Sequence, residues 1–164
     1  MEIEFSEASE GIKALVKRAE EFGVKEYLYP RAIVGRSKTF VVFIPPCVNG
    51  DVDAPDNIYI DDDFWGDVGG EFTLSYGFSH VHFDTADGDE AAIQMVKDLI
   101  DHNVVGYHLR ISSKYDLTGY IPNYTDEELK VIFTERAKQY GSDLKEDFVR
   151  ICYWNETELK TIKL

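Results

Sequence analysis

His80-Val81-His82-Phe83-Asp84 places two imidazoles and a carboxylate at alternate positions of one short run. On a strand alternate residues share a face, so all three side chains would point the same way. Neutral imidazoles in a His-x-His pair hold zinc in several hydrolases, where an open position activates water. A complete site needs a further ligand, and His102, His108 and the upstream acids are the donors available. Without a metal, the same pattern is a solvated strand face alternating with Val81 and Phe83 in a core. A metal-dependent hydrolase using His80, His82 and Asp84 is therefore the alternative expectation.

A second cluster is Asp61-Asp62-Asp63-Phe64-Trp65-Gly66-Asp67. Carboxylates beside a Phe-Trp pair suit a protein interface, where aromatic anchors supply buried area and peripheral charge sets the association rate. The same Phe64 and Trp65 would equally serve to plug a loop onto the core. Calcium is the other chemistry for such acids. Asp51-Val52-Asp53-Ala54-Pro55-Asp56 begins like an EF-hand loop, but Pro55 stands at the third ligand position, Asp56 replaces the turn glycine and the closing glutamate is missing. That motif fails, and a looser calcium site at Asp61, Asp62 and Asp63 is what remains of the idea.

These residues lie in a stretch of unusual charge. From Thr39 to Val96 there is no lysine or arginine, and the 58 positions hold twelve carboxylates. The formal charge of the chain is -14, so nearly all of it resides there, and the other 106 residues carry 17 basic against 19 acidic groups. Such a field repels nucleic acid and anionic membranes and attracts basic partners. There is no Gly-x-Ser-x-Gly elbow, no phosphate-cradling glycine loop and no basic stripe for nucleic acid. No cofactor is expected outside the zinc and calcium alternatives.

The chain is 164 residues long, the size of one domain. Ten Tyr and ten Phe spread along it argue for a packed core. No run approaches the ~20 apolar residues that span a bilayer, and the acidic amphipathic start lacks the basic start and unbroken apolar core of a signal peptide. Cys47 and Cys152 match no metal spacing and read as two free thiols in a reducing compartment. A soluble, cytoplasmic protein is expected.

The elements that must position these residues follow from periodicity. Ile12, Leu15, Val16, Ala19 and Phe22 predict a first helix stopped by Gly23. Asp89 to His102 predicts a second, with Asp87 and Glu90 as its capping pattern. Thr125 and Glu128 predict a capping box for a third, with Tyr124 and Leu129 as a hydrophobic staple and Gly141 as its end. Strands are predicted at 27–34 and 38–44 as a hairpin, at 57–60, at 71–77 with 79–84 continuing it, at 104–112, at 147–154 and, more weakly, at 158–164. Residues 45–70 read as a long acidic surface loop around the short 57–60 strand. The order excludes a strict parallel α/β alternation. The expectation is a single α+β domain over 1–164, a largely antiparallel sheet with about three helices packed on it.

The run Gly69-Gly70-Glu71-Phe72-Thr73-Leu74-Ser75-Tyr76-Gly77-Phe78-Ser79-His80-Val81-His82-Phe83-Asp84 resembles a segment of small bacterial proteins of the immunity type, found with polymorphic toxin systems. The likeness spans 69–109 and carries no catalytic residues over. It implies a cytoplasmic inhibitor of one toxin domain, such as a basic nuclease, with Asp61, Asp62, Asp63, Phe64, Trp65 and Asp67 as the partner-binding residues.

Overall fold

The computed structural model describes residues 2–4, 8–29, 31–34, 39–63, 71–83, 88–112 and 114–164. The fold is α+β; among the described residues there are three α-helices and ten antiparallel strands divided between two sheets. The first sheet is a six-stranded meander in chain order: β1 (Glu2–Glu4), β2 (Arg31–Val34), β3 (Thr39–Phe43), β4 (Ile58–Asp63), β5 (Glu71–Tyr76) and β6 (Ser79–Phe83). The second has four strands, β7 (Val104–Ile111), β8 (Tyr115–Pro122), β9 (Phe148–Cys152) and β10 (Lys160–Lys163), in the order β10-β9-β7-β8.

Helix α1 (Glu10–Glu21) starts at Ser9, whose hydroxyl accepts from the Ile12 N–H, and buries Ile12, Leu15 and Ala19. Helix α2 (Gly88–Ile100) buries Ala92, Ile93, Val96 and Leu99. The two pack on each other and on one face of the first sheet, over Val41, Phe43, Ile58, Ile60, Phe72 and Leu74. Arg18 ties them together, reaching Asp89 at 3.1 Å, Glu21 at 2.8 Å and Glu90 at 3.6 Å. The expected cap at Asp87 lies outside the described residues.

Helix α3 (Asp126–Gln139) covers the second sheet with Leu129, Phe133 and Ala137, against Val105, Tyr107, Leu109, Val149 and Ile151. Its capping box forms as the sequence predicts. Thr125 Oγ1 accepts from the Glu128 N–H, and the Glu128 carboxylate accepts from the Thr125 N–H. Both helix-ending glycines, Gly23 and Gly141, have positive φ. The core is thus two clusters, one per sheet, where the sequence reading expects one sheet carrying all three helices.

Cys152 forms the joint between them. It lies on β9 but packs into the first cluster with Trp154 and Tyr76. A Cβ on Gly106 would stand 2.5 Å from its sulfur, and one on Gly77 2.6 Å. Glycine at both positions lets two backbones close on one thiol. Tyr120 of β8 crosses the joint: its hydroxyl donates toward the carbonyls of Ser79 (2.7 Å) and Tyr76 (3.0 Å) and accepts from the Tyr76 N–H (3.1 Å).

Four sequence expectations change. Residues 79–84 do not continue the 71–77 strand; the chain reverses at Gly77-Phe78, and Ser79–Phe83 returns as β6 beside β5. The 57–60 strand runs on to Asp63, because β4 is an interior strand paired with β3 and β5 along its length. Tyr27 sits in a 3-10 turn, and the first hairpin strand begins at Arg31. Strand β8 was not anticipated: Gly119 and Pro122 lower its strand propensity. Gly119 is nevertheless required, since a Cβ there would meet the Tyr107 hydroxyl at 2.9 Å.

Candidate functional site

The described acids of the charged segment fall into a loop, the strands β4 and β5, and the first turn of α2. The loop, residues 44–57, is tethered. Pro45 leads a 3-10 turn over Pro46–Val48, and Asn49 and Gly50 then take left-handed conformations that reverse the chain. Asp51 Oδ1 accepts from the Asp53 N–H at 3.0 Å, a local turn that short acidic side chains favour. Asn57, fully buried, donates to the Asp51 carbonyl at 2.9 Å. Tyr59 donates toward the Val52 carbonyl at 2.9 Å and stands 3.3 Å from that of Ala54. Ala54 is buried beneath, so the loop is fixed from below and exposes Asp51 and Asp53.

No lysine or arginine among the described residues lies within ion-pair distance of Asp51, Asp53 or Asp56. Carboxylates elsewhere are commonly answered within the chain: Glu10 by Lys13, Glu20 by Lys25, Asp101 by Lys97, Asp116 by Arg110, Asp126 by Lys160 and Asp143 by Lys145. Asp89 and Glu90, also inside the charged segment, are answered by Arg18. The loop carboxylates are the described part of the charge excess left for something else.

Asp61, Asp62 and Asp63 lie on β4, not in the loop; for Asp62 and Asp63 the description is of the backbone. Phe64, Trp65 and Asp67 lie outside the described residues, so the expected aromatic anchor is not placed. Asp61 is directly opposite Thr73 of β5, which is opposite His82 of β6, so the three make a cross-strand row. Thr73 Oγ1 is 3.0 Å from His82 Nδ1. The adjacent row is Tyr59, Ser75 and His80. Both rows lie on the sheet face opposite α1 and α2.

His80 and His82 do share one exposed face, their ring centroids 5.1 Å apart in an edge-on arrangement. Asp84 lies outside the described residues. The further ligands considered from the sequence are engaged elsewhere. His102 Nε2 is 2.6 Å from the Trp154 carbonyl, and His108, in the second sheet, has its Nε2 2.7 Å from Asp116 Oδ1. Among the described residues no three His, Cys, Asp or Glu side chains gather as a metal site. Cys47 and Cys152 are both free. Burial pushes the Cys152 thiol up to about 11 and also raises Cys47, so neither is an activated nucleophile.

The second sheet carries a surface the sequence reading passed over. On the face away from α3, register aligns Lys163, Phe148, Arg110 and Asp116 in one row across the four strands. The next row is Thr161, Arg150, His108 and Thr118, and the third includes Cys152, Gly106 and Tyr120 at the joint. Lys163, Thr161, Asp116 and Thr118 are exposed at the ends of the first two rows, Arg110, Phe148 and Arg150 are half-buried, and Phe78 packs on His108, ring centroids 5.1 Å apart. Arg150 stacks over Phe148 at 5.0 Å, and Asp116 accepts from Arg110 at 3.5 Å. Alternation of Arg110 with Leu109 and Ile111, and of Arg150 with Val149 and Ile151, was the available signal; that the strands are neighbours was not.

No protein-family model, curated protein or solved structure matches this chain. Its site is therefore read from its own chemistry. Among the described residues no helix is long and apolar enough to cross a membrane.

Proposed function

We propose that this chain is a binding protein whose acidic segment engages a basic protein partner, in the manner of an immunity protein that neutralises a toxin domain in the bacterial cytoplasm. One observation carries the reading: Asp51, Asp53 and Asp56 stand on a tethered loop with no lysine or arginine of the described residues within ion-pair distance. A pre-ordered loop loses little entropy on binding, and its charge accelerates encounter with a basic surface. Asp61, Asp62 and Asp63 extend the acidic region along β4, and Phe64, Trp65 and Asp67 follow in sequence as its aromatic and acidic continuation. A basic nuclease domain is the partner class such a field would find fastest.

The test is protection. A toxin-like domain encoded beside this gene is expressed with and without the chain, and association of the purified pair is followed at increasing salt. Protection is expected, with an association rate that falls as salt rises. Replacing Asp51, Asp53 and Asp56 by Asn should slow association and flatten that dependence; Asp61, Asp62 and Asp63 by Asn should do the same. Absence of any such neighbour, or protection indifferent to these substitutions, refutes the reading.

The paired imidazoles support a second reading, a metal-dependent hydrolase with zinc held by His80 and His82 and Asp84 as third donor. Zinc titration of the wild type and His82→Ala decides it: stoichiometric binding lost in the variant favours it, and no binding removes it.

A further inference from the structure

We infer that the second sheet carries a binding pocket for a neutral saccharide, between the turn after β7 and the loop after α3. The pocket holds about 550 Å³, a volume ordinary for small-ligand sites. None of its lining residues belongs to the acidic segment, so it shares no residue with the surface proposed above for a partner. Its two walls are locked together from behind. Asp147 is 2% exposed and has no lysine or arginine of the described residues within ion-pair distance. It accepts from the Ser112 N–H at 2.7 Å, from the Ser112 hydroxyl at 3.3 Å and from the Ser142 hydroxyl. One buried carboxylate thereby joins the turn after β7 to the loop after α3. Ser112 and Leu144 have φ of 46° and 66°, the left-handed region that residues with side chains avoid. The Leu144 N–H is held on the Ser142 hydroxyl at 3.0 Å. A buried charge and a strained backbone are each unfavourable by themselves, and such features gather where a fold keeps a ligand clamp in shape. A pocket fixed in this way is formed before a ligand arrives, which spares the cost of ordering it.

The lining selects the ligand. Lys114 and Lys145 supply donors, and Asp143 and Glu146 supply acceptors, two groups of each sign. A cationic ligand meets the lysines. An anionic one meets the two acids and the field of a chain of charge -14. An apolar ligand would strip water from four ionic groups without replacing its hydrogen bonds. A neutral ligand that both donates and accepts is what fits. Part of the lining is aromatic. Tyr140 ends α3 and Tyr115 opens β8; they are 48% and 51% exposed, with ring centroids 5.8 Å apart and planes tilted by 47°. The rings touch each other, so they leave no slot for a flat nucleobase between them. They present an angled apolar surface on which the C–H face of a pyranose can lie, its hydroxyls turned toward the charged side chains.

The experiment is a titration of the isotope-labelled full chain, followed through its amide NMR signals. The probes are maltose, cellobiose, lactose, mannobiose and chitobiose at millimolar concentration, with adenosine and cytidine beside them. At least one disaccharide is expected to shift the amides of Ser112, Tyr115 and residues 140–146, and to do so saturably. Tyr140→Ala should weaken that binding by about tenfold, as should Tyr115→Ala. Both rings are at the surface, and the amide spectrum of each variant reports whether it is folded. No shift with any disaccharide overturns the proposal. So do shifts confined to residues outside this pocket, nucleosides binding in place of saccharides, or binding unchanged in both tyrosine variants. None of these outcomes involves the acidic loop, so this proposal and the partner reading fail separately.

Discussion

Gly106→Ala tests the joint between the two sheets. The new methyl would stand 2.5 Å from Cys152 Sγ and 3.9 Å from ring carbons of Tyr120 and Tyr76. Comfortable contacts are about 3.5–4.0 Å, so the sulfur must give by about 1 Å. Its room to withdraw is limited, because the Gly77 backbone also approaches so closely that a Cβ there would stand 2.6 Å from the same sulfur. Overpacking of this kind costs about 1–3 kcal/mol. For a domain of this size that lowers the melting temperature by about 2–12 °C, at roughly 2–4 °C per kcal/mol. Urea unfolding of four proteins reads the effect: wild type, Gly106→Ala, Cys152→Ala and the double variant. Cys152→Ala alone loses buried sulfur contacts, yet it opens the space that the Gly106 methyl needs. The double variant should therefore be less damaged than the sum of the two, by at least about 0.5 kcal/mol of favourable coupling. Strict additivity, or a Gly106→Ala protein as stable as the wild type, would refute the reasoning.

Tyr59→Phe removes the hydroxyl that holds the Val52 and Ala54 carbonyls; a loss of about 1 kcal/mol and faster amide exchange over 51–54 are expected, measured by urea unfolding and hydrogen exchange. The two thiols should react very differently: Cys152, buried and with its pKa pushed up to about 11, should resist a thiol reagent at pH 8 until the protein unfolds, while half-buried Cys47 reacts in the native state. Equal native rates would contradict the packing at the joint. The Glu128 carboxyl is held below its usual range by the Thr125 N–H and hydroxyl. Its contribution is therefore present above the ordinary carboxylate pKa and lost as pH falls through the lower folded value. Thr125→Ala should raise the Glu128 pKa toward its ordinary value in an NMR titration and reduce the acid dependence of stability.

How much of this was legible depended on whether the cause was local. The α3 capping box is set by two residues three apart, and Thr125 and Glu128 declared it. The stripes of α1 and α2 could be read because a helix repeats faster than its neighbours change. Strand β8 was hidden because its reasons are tertiary: Gly119 is there to clear Tyr107, a residue of another strand. The turn at Gly77-Phe78 was read as strand because Phe78 is aromatic and the residues on both sides alternate. The shared exposed face of His80 and His82 follows from strand alternation and was anticipated. That His108 would be engaged by Asp116 in the other sheet was not, since nothing in the spacing says that β6 and β7 enter different sheets.

By itself the sequence determined the α+β class, the three helices, most of the strands and the concentration of acid between Thr39 and Val96. These depend on periodicity, capping and composition, which act over a few residues. Tertiary structure alone decided that the strands divide into two sheets around Cys152 and that Asn57 and Tyr59 tether the acidic loop. It alone gathered Arg110, Arg150 and Lys163 onto one face. Strand pairing brings together residues tens of positions apart, and which partner a strand takes is chosen by the packing of the whole core rather than by the strand's own residues.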